Sequence, residues 1–436
     1  MSQTLKAVRG TRDLLPPETS LWNRIEATAR AVFARYNFGE IRTPLFEDTS
    51  LFARGVGEET DIVSKEMYTW EDRARAQSEK AQSLTLRPEN TAGVVRAYIE
   101  HKLGETGQLQ KLYYIGPQFR RERPQKGRYR QFWQIGAEVI GPQSAGSESP
   151  VRDAEVLEML ATLLDELGIT GWTLELNSVG SAADRARYNE ALRAALEPVA
   201  AKMCADCQRR AVTNPLRVLD CKVPEDQPII ATLPVIADSL DEESRAHFAA
   251  VKSALDAADV AYHLNPRLVR GLDYYTRTTF EFTHAGLGAQ NALLGGGRYD
   301  GLSEMIGGPK APGIGFAMGL DRLVLTLQAQ EAAQASAATA PKVDAYIAPL
   351  GESLNAAALA LARELRRAGL TVELGDGSFR LKKSFEAADK TARRIVILGE
   401  DELQSGILTV KDFSTGLQTK VARAELDAHL SKHAGE

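Results

Sequence analysis

The sequence has few cysteines and no long apolar run. Only three of its 436 residues are cysteines, Cys204, Cys207 and Cys221, and this odd, sparse set excludes a secreted disulfide framework. No run reaches the roughly 18 apolar residues that a membrane-spanning helix needs, and the first residues, MSQTLKAVRGTRDLLPPE, contain no apolar core of a secretion signal. We therefore expect a soluble protein that resides in the cytoplasm and makes no contact with a membrane.

Positive charge is also in short supply. The chain has 53 lysines and arginines against 58 aspartates and glutamates, a formal net charge of -5 and a pI near 5.9. This balance argues against a protein that coats nucleic acid indiscriminately, but it allows a focused phosphate site. Such a focus exists, because residues 116–138, GPQFRRERPQKGRYRQFWQIGAE, contain five arginines and a lysine.

The domain organisation follows from a change of composition at residues 328–342, QAQEAAQASAATAPK, which we interpret as a linker. It separates a large domain, residues 1–327, from a small one, residues 343–436. In the small domain VDAYIAPL, LTVEL and RIVILG alternate with helical stretches, which predicts a small parallel α/β domain. GILTVKDFSTGLQTKV then predicts a hairpin.

The large domain is predicted to be α+β. Helical periodicity covers residues 18–36 and 154–167. The segments SLTLRP, KLYYIGPQF, RQFWQIGAEVI, WTLELN and TTFEFT are typical strands, and several follow one another without helices between them, which favours an antiparallel sheet. Residues from about 181 to 266 interrupt the strands with helical segments, and we interpret them as an insertion.

The arginine-rich run predicts a hairpin whose loop is ERPQKGRYR. Arginine stays protonated and offers a planar fork of donors, which suits it to holding phosphate oxygens in a fixed geometry. The alternative is a solvated, charged hairpin, a common surface feature. Apolar anchors on both arms, Phe119 on one and Phe132 and Trp133 on the other, favour the phosphate site because they limit where the arginines can lie.

Four further segments complete a recognisable pattern: LTLRPENTAG, LVRGLDYYTRTTFEF, GGGRYDGL and GIGFAMGLDRLVL. Together with the arginine run they resemble the histidyl-tRNA synthetases, members of the class II aminoacyl-tRNA synthetases. FGEIRTPLFE resembles the family's dimer-forming motif 1, FRRERPQKGRYRQFWQIGAE its motif 2 and GIGFAMGLDRLVL its motif 3. RGLDYY is the most diagnostic segment, and the resemblance covers nearly the whole chain.

The resemblance implies a fold, an activity and partners. The large domain would be an antiparallel-sheet class II catalytic domain with a helical insertion, and the small one an α/β anticodon-binding domain. The activity would be that of a histidine–tRNA ligase, which converts L-histidine and ATP, with Mg²⁺, to histidyl adenylate and then esterifies the 3′ end of the tRNA for histidine. A homodimer is expected.

The resemblance also assigns roles to individual residues. The catalytic residues would be Arg120, Gln134 and Arg270. ATP would contact Arg120, Glu122 and Arg322. The acceptor end of the tRNA would contact Arg123, Gln125 and Arg128. Histidine would be bound by residues from five segments: Glu89, Thr91, Arg120, Gln134, Glu138, Arg270, Tyr274, Tyr275 and Tyr299.

Other interpretations of these motifs are weaker. GIGFAMG has the spacing GxGxxxG and no acidic residue at a following strand end, so it is not a dinucleotide fingerprint. GGGRYDG lacks the Lys-Ser/Thr of a phosphate-binding P-loop, and its glycines suggest a close approach of backbone to substrate. We expect no metal site, because the three cysteines are one ligand short of a tetrahedral zinc set unless a histidine such as His247 joins them.

Two rival functions remain. A non-catalytic regulatory paralogue that partners ATP phosphoribosyltransferase would typically lack the anticodon-binding domain and have degraded arginine motifs. A synthetase for proline, threonine or glycine would share the general motifs but not RGLDYY.

Overall fold

The computed structural model describes residues 4–57, 60–72, 81–125, 127–287, 291–333 and 342–431. The chain divides into two compact units, Met1–Ser336 and Ala337–Glu436. Among the helices described in these ranges, none has the length and apolar character needed to cross a membrane.

The described elements of the larger unit are mixed. Its strands are β1 (Gly39–Glu40), β2 (Phe46–Asp48), β3 (Tyr68–Asp72), β4 (Gln82–Leu86), β5 (Gln110–Phe119), β6 (Gln131–Ile140), β7 (Trp172–Ser178), β8 (His263–Leu264), β9 (Thr276–His284), β10 (Ala292–Arg298) and β11 (Gly313–Gly319). Its helices are α1 (Glu18–Arg35), α2 (Thr49–Val56), α3 (Thr91–Glu100), α4 (Pro150–Glu166), α5 (Ala182–Leu196), α6 (Ala205–Thr213), α7 (Gln227–Thr232), α8 (Glu242–Ala257), α9 (Leu302–Met305) and α10 (Leu320–Ala333).

An eight-stranded sheet forms the centre of this unit, in the order β1-β5-β6-β11-β10-β9-β7-β8. The six strands from β5 to β7 pair antiparallel, and β1 and β8 join parallel at the two edges. The prediction of an α+β fold with an antiparallel sheet is confirmed. The predicted SLTLRP strand is β4, which lies outside this sheet and pairs antiparallel with β2 and β3 in a separate three-stranded sheet.

Alternation along β6 explains how the sheet carries both a core and a polar face. Ile135, Ala137 and Val139 are buried in the main apolar core, while Gln134 and Glu138 lie on the opposite face. Helices α1 and α4 cover the apolar face, with every large apolar residue of the predicted 154–167 stripe buried. Each such side chain contributes roughly 1.5–3 kcal/mol when fully buried, so this core fixes the register that presents the polar face.

Between β7 and β8 the chain is helical. α5 begins with a capping box. The Ser181 hydroxyl accepts a hydrogen bond from the backbone N–H of Asp184, and the Asp184 carboxylate accepts one from the backbone N–H of Ser181. The last helix, α8, contacts α4, and its Val251 and Leu255 belong to the main core. The predicted limits of the insertion, about 181 to 266, stay a prediction, and α8 packs as part of the central unit.

The smaller unit has a five-stranded sheet in the order β13-β12-β14-β15-β16, formed by β12 (Val343–Pro349), β13 (Val372–Leu374), β14 (Ala392–Leu398), β15 (Ile407–Asp412) and β16 (Gln418–Ala422). Its helices are α11 (Asn355–Arg367), α12 (Leu381–Thr391), α13 (Glu400–Ser405) and α14 (Leu426–Ser431). β13, β12 and β14 are parallel, as predicted, and the predicted hairpin is β15–β16, which extends the sheet antiparallel.

The predicted linker is partly helical. Residues 328–333 belong to α10, and residues 334–341 lie outside the described residues. Where the linker begins and ends therefore stays a prediction.

Candidate active site

A cleft of about 370 Å³ opens beside the polar face of the large sheet. Its walls come from distant parts of the sequence: the start of α3, the turn between β5 and β6, the segment before β9, β10, and the junction of β11 and α10. Among the residues that the structure describes, five arginines line it, namely Arg120, Arg128, Arg217, Arg270 and Arg322. The cations that sequence analysis assigned to nucleotide binding therefore share one cleft.

Arg120 is held in place from two sides. Its Nε donates to the backbone carbonyl of Pro88 at 2.9 Å, and its guanidinium stacks over the Phe132 ring with 5.3 Å to the centroid. Only one of its five donors is used by this backbone contact, so the nitrogens at the end of the side chain remain available to an anion. Phe132, predicted as an apolar anchor, instead lines the cleft as the platform for this arginine.

Arg270 is fixed by a carboxylate. Its Nη1 lies 2.5 Å from Oε1 of Glu281 on β9. Burial opposes the positive charge, but Glu281 and Tyr275 outweigh it, so the pKa of Arg270 is raised. A Cβ at position 295 would lie 2.5 Å from Nη1 of Arg270, so a larger residue there would shift the guanidinium from its present position. This glycine therefore makes room for a side chain of the site.

Arg322 lies in the first turn of α10 and donates from Nη1 to the carbonyl of Ala292 at 2.5 Å. Burial and the neighbouring positive charge of Arg128 lower its pKa, although Glu281 and Glu122 act in the opposite direction. These guanidiniums repel one another, and a bound polyanionic ligand would relieve that repulsion.

Behind the cleft lies a buried acid, Glu138, which is fully inaccessible to solvent. Thr91 donates to its Oε1 and Tyr299 to its Oε2, both at 2.7 Å. Burial raises the pKa of Glu138 to about 8, against the opposing effect of these two hydrogen bonds. A Cβ at Gly315, its partner on β11, would lie 1.6 Å from Oε2, so only glycine leaves space for this carboxylate.

A second buried acid, Glu89, lies two residues before helix α3. Its carboxylate accepts from the backbone N–H groups of Thr91 at 2.8 Å and Ala92 at 3.0 Å, which satisfies donors at the helix start. Burial raises its pKa. Asn90, which directly precedes α3, has φ -121°, an ordinary value for a residue with a side chain.

Most predicted residues lie at this cleft. Those in its lining are Glu89, Thr91, Arg120, Glu122, Arg128, Gln134, Arg270, Tyr274, Tyr275 and Arg322. Glu138 and Tyr299 lie behind them and are linked to the cleft through Thr91. Arg123 and Gln125 are exposed in the β5–β6 turn, where Gln125 and Arg128 exchange backbone hydrogen bonds.

Several lining or supporting residues were not predicted from the sequence. Tyr114, Glu66 and Arg217 also line the cleft. The hydroxyl of Tyr114 is buried. Glu281, which pairs with Arg270, lay within the predicted strand TTFEFT. The signal that could have found it is a single acidic residue inside an otherwise apolar and threonine-rich strand.

Similarity to known proteins decides the family. A sequence model of the histidyl-tRNA synthetases matches residues 10–323, and one of anticodon-binding domains matches residues 344–433. The chain belongs to the histidyl-tRNA synthetase family. It is 71% identical over 430 residues to a histidine–tRNA ligase from Koribacter versatilis (strain Ellin345), covering 98% of this chain and 96% of that protein.

Two further relatives agree. A histidine–tRNA ligase from Solibacter usitatus (strain Ellin6076) is 56% identical over 428 residues, covering 98% of this chain and 99% of that protein. The crystal structure of apo histidyl-tRNA synthetase from S. aureus has a TM-score of 0.78 at 38% identity and covers 98% of this chain and 100% of that one.

Membership of this family establishes the activity and the fold. The chain is an aminoacyl-tRNA ligase that joins L-histidine to tRNA at the expense of ATP, and its larger unit has the class II synthetase fold. The rival function was a regulatory paralogue, which would typically lack the anticodon-binding domain and have degraded arginine motifs. The match to an anticodon-binding domain and the intact arginine cleft separate this chain from such a paralogue.

Proposed function

We propose that this cleft binds ATP and L-histidine side by side and that its arginines carry adenylate formation. The observation that supports this most strongly is the presence of Arg120, Arg270 and Arg322, from three separate elements, in the lining of one cleft. Attack of the histidine carboxylate on the α-phosphorus brings two anionic groups together, and fixed positive charge between them lowers that repulsion.

The roles of the arginines follow from this chemistry. Arg120 would contact the α-phosphate and the histidine carboxylate, Arg322 the γ-phosphate, and Arg270 the α-phosphate as charge develops in the transition state. Because the attacking carboxylate is already ionised at neutral pH, no protein general base is needed. Gln134 would orient the histidine carboxylate beside Arg120.

The histidine end of the cleft would be formed by Glu138 with Thr91, Tyr274, Tyr275 and Tyr299. A carboxylate accepts from an imidazole N–H, and a phenol can serve the other ring nitrogen. Glu89 would receive the substrate's ammonium group. A site built on such hydrogen bonds rejects analogues that lack them by factors of about 10⁴.

We also propose that Mg²⁺ accompanies ATP. Glu66 and Glu122 would hold this ion, because both carboxylates line the cleft, although Glu122 also pairs with Arg128 at 3.0 Å. Bound there, Mg²⁺ would neutralise charge on the outer phosphates.

For tRNA, we propose that Arg123, Gln125 and Arg128 meet the acceptor end and that residues 343–436 recognise the anticodon. The exposed position of Arg123 and Gln125 at the tip of the β5–β6 turn supports the first assignment. Phosphate contacts there would make tRNA affinity depend on salt.

A homodimer is proposed from an exposed apolar patch on and beside the three-stranded sheet. Leu45, Phe46 and Trp70 are 44%, 52% and 40% exposed, and the rings of Phe46 and Trp70 meet edge to face at 6.0 Å. Large apolar side chains grouped at the surface are typical of an interface. Sedimentation analysis would contradict this if it gave the mass of one chain.

The cytoplasm is proposed as the compartment, and the free state of all three cysteines supports it.

Histidine-dependent exchange of radiolabelled pyrophosphate into ATP tests the proposed reaction. Exchange should require histidine, and proline, threonine or glycine should not replace it. No exchange with histidine would contradict the proposal, and exchange with one of the other amino acids would reassign the substrate.

A further inference from the structure

A cluster of three thiols and one carboxylate lies outside the lining of the active-site cleft. The cluster consists of Cys204, Cys207, Cys221 and Asp226, whose potential ligand atoms all lie within 4.8 Å of one another. Three of the four residues are buried, and Cys204 is half-buried. We propose that these four residues bind one structural zinc ion.

The spacing of the sulfur atoms fits a shared metal. The Sγ atoms of Cys204 and Cys221 are 3.9 Å apart, far beyond a disulfide bond of about 2.05 Å. Two sulfurs bound to one tetrahedral zinc at about 2.3 Å each are about 3.8 Å apart. The Sγ of Cys221 also lies 3.2 Å from Oδ2 of Asp226, so the carboxylate completes the same group.

The carboxylate is the second reason to place a cation here. Asp226 is only 1% exposed, and a buried carboxylate is normally paired with a positive side chain or bound to a metal. In the part of the chain that the structure describes, its oxygens contact the thiol of Cys221 and the backbone N–H of Cys204, and no salt bridge involves it. The three sulfurs and the buried acid therefore offer four donor atoms around one uncompensated carboxylate charge, which a bound cation would neutralise.

The chemistry of the four donors selects the ion. Thiolates are soft ligands that favour zinc over magnesium or calcium, and four protein donors leave no open position for a substrate. The site is therefore structural. Asp226 supplies the fourth ligand in place of His247, which lies on α8 with its Nε2 3.7 Å from Asp153.

The local fold explains what the ion would stabilise. Cys204 directly precedes α6 and Cys207 lies in its first turn, whereas Cys221 follows the short 3₁₀ turn Pro215–Asp220, and Asp226 directly precedes α7. Helices α6 and α7 have nine and six residues, too short to be stable alone. A single ion would cross-link all three elements.

This segment also reaches the active site. Arg217, four residues before Cys221, lines the cleft and donates to the carbonyl of Arg270 at 3.3 Å. Arg210, between Cys207 and Cys221, lies 3.2 Å from Asp61, another lining residue. The metal would therefore hold one wall of the cleft in position without touching substrate.

Metal analysis of the full-length chain, purified with a phosphine reductant and without chelator, tests the proposal. We expect about one zinc per chain, and cobalt exchange should give thiolate-to-cobalt charge-transfer bands and the visible spectrum of a tetrahedral ion. Zinc below about a tenth of an equivalent, with no cobalt spectrum after reconstitution, would overturn it. A disulfide between two of the cysteines in the protein purified without reductant and denatured would overturn it as well.

Two aspartates provide a matched pair of variants. Asp226→Asn retains an oxygen for the Cys204 N–H but loses the charge, and it should weaken zinc binding at least about tenfold in competition with a chromophoric chelator. The control is Asp206→Asn. Asp206 lies between the two cysteines of the CADC segment, but its side chain is exposed and pairs with Arg209, so this variant should not change the affinity for zinc. Equal affinities in the two variants would remove Asp226 from the site. Cys207→Ser should abolish the cobalt spectrum; if that variant does not fold, the unmodified chain still decides.

Discussion

Tyr299 donates a 2.7 Å hydrogen bond to Oε2 of Glu138, and both side chains are almost completely buried. Thr91 donates to the other oxygen of the same carboxylate, so one acid connects β6, α3 and the segment after β10. Burial nevertheless dominates its ionisation and raises its pKa to about 8. This part of the site is therefore sensitive to pH.

Glu138→Gln should change how stability depends on pH. An acid whose folded pKa lies above its unfolded value contributes stability that is present below the unfolded pKa and lost as pH rises through the folded pKa, here from about 4.5 to about 8. The uncharged variant lacks this loss, so its free energy of unfolding relative to the unmodified chain should rise by at most about 1.4 kcal/mol per pH unit across this window.

Unfolding by urea, followed by tryptophan fluorescence at pH 5.5, 7 and 8.5, measures this difference. All four tryptophans, Trp22, Trp70, Trp133 and Trp172, belong to the larger unit, so the signal reports on that unit alone. The surface control Glu190→Gln should show no such trend. Stability profiles that stay parallel for Glu138→Gln and the unmodified chain would mean that Glu138 ionises normally.

Arg270→Ala should slow adenylate formation far more than it weakens ATP binding. The assigned contact forms as charge develops on the α-phosphate, so single-turnover adenylate formation should fall by about 10²–10³-fold while the Kd for ATP changes less than about threefold. Rapid quench with labelled ATP measures the rate, and equilibrium binding measures the Kd.

This variant leaves Glu281 without its 2.5 Å partner, which could itself disturb the cleft. Arg270→Ala combined with Glu281→Gln removes that unpaired charge and should show the same loss of rate. Arg24→Ala, at an exposed ion pair with Glu331, is the surface control. Equal losses of rate and ATP affinity would contradict a transition-state contact.

Arg123→Ala should weaken tRNA binding without changing histidine activation. Arg123 is exposed in the β5–β6 turn, and loss of one phosphate contact should reduce the slope of log K against log salt by about 1. Filter binding of the tRNA from low to moderate salt measures the slope, with pyrophosphate exchange as the check on activation. Arg35→Ala, at the end of α1, should leave both unchanged. An unaltered slope for Arg123→Ala would mean that this residue does not meet a phosphate.

Most residues of the site could be predicted from the sequence because they belong to short local motifs with strong chemical constraints. Arg120, Arg270 and Arg322 could be assigned from such motifs, and the antiparallel sheet followed from consecutive strands. Sheet membership was harder: SLTLRP has the same strand propensity wherever it pairs, so its place in the smaller sheet depends on tertiary contacts.

Supporting partners were invisible for a related reason. Glu281 contacts Arg270 across 11 residues of chain, and Arg217 reaches the cleft from the helical segment between β7 and β8. Glu281 stands in the segment LVRGLDYYTRTTFEF, but nothing in that segment pairs it with Arg270, and Arg217 stands in none of the motifs named above. Only the folded chain brings these contacts together. Asp226 was missed beside the cysteines because aspartate is abundant, whereas histidine is the more usual partner of thiols at zinc.

Asp153→Asn should destabilise the larger unit strongly. Asp153 on α4 and Arg298 at the end of β10 are both fully buried, and Nε of Arg298 donates to both carboxylate oxygens, at 3.1 and 3.2 Å. Removing one partner of a buried pair leaves an uncompensated charge and costs about 3–5 kcal/mol. Asp300, at 3.0 Å from Arg298, retains part of the compensation and favours the lower end of that range.

Urea unfolding followed by tryptophan fluorescence measures this loss. Glu331→Gln, which breaks the exposed pair with Arg24, is the matched control and should cost less than about 1 kcal/mol. A loss below about 1 kcal/mol for Asp153→Asn as well would mean that water or Asp300 compensates Arg298 fully, and the buried pair would then not be what holds α4 against the end of β10.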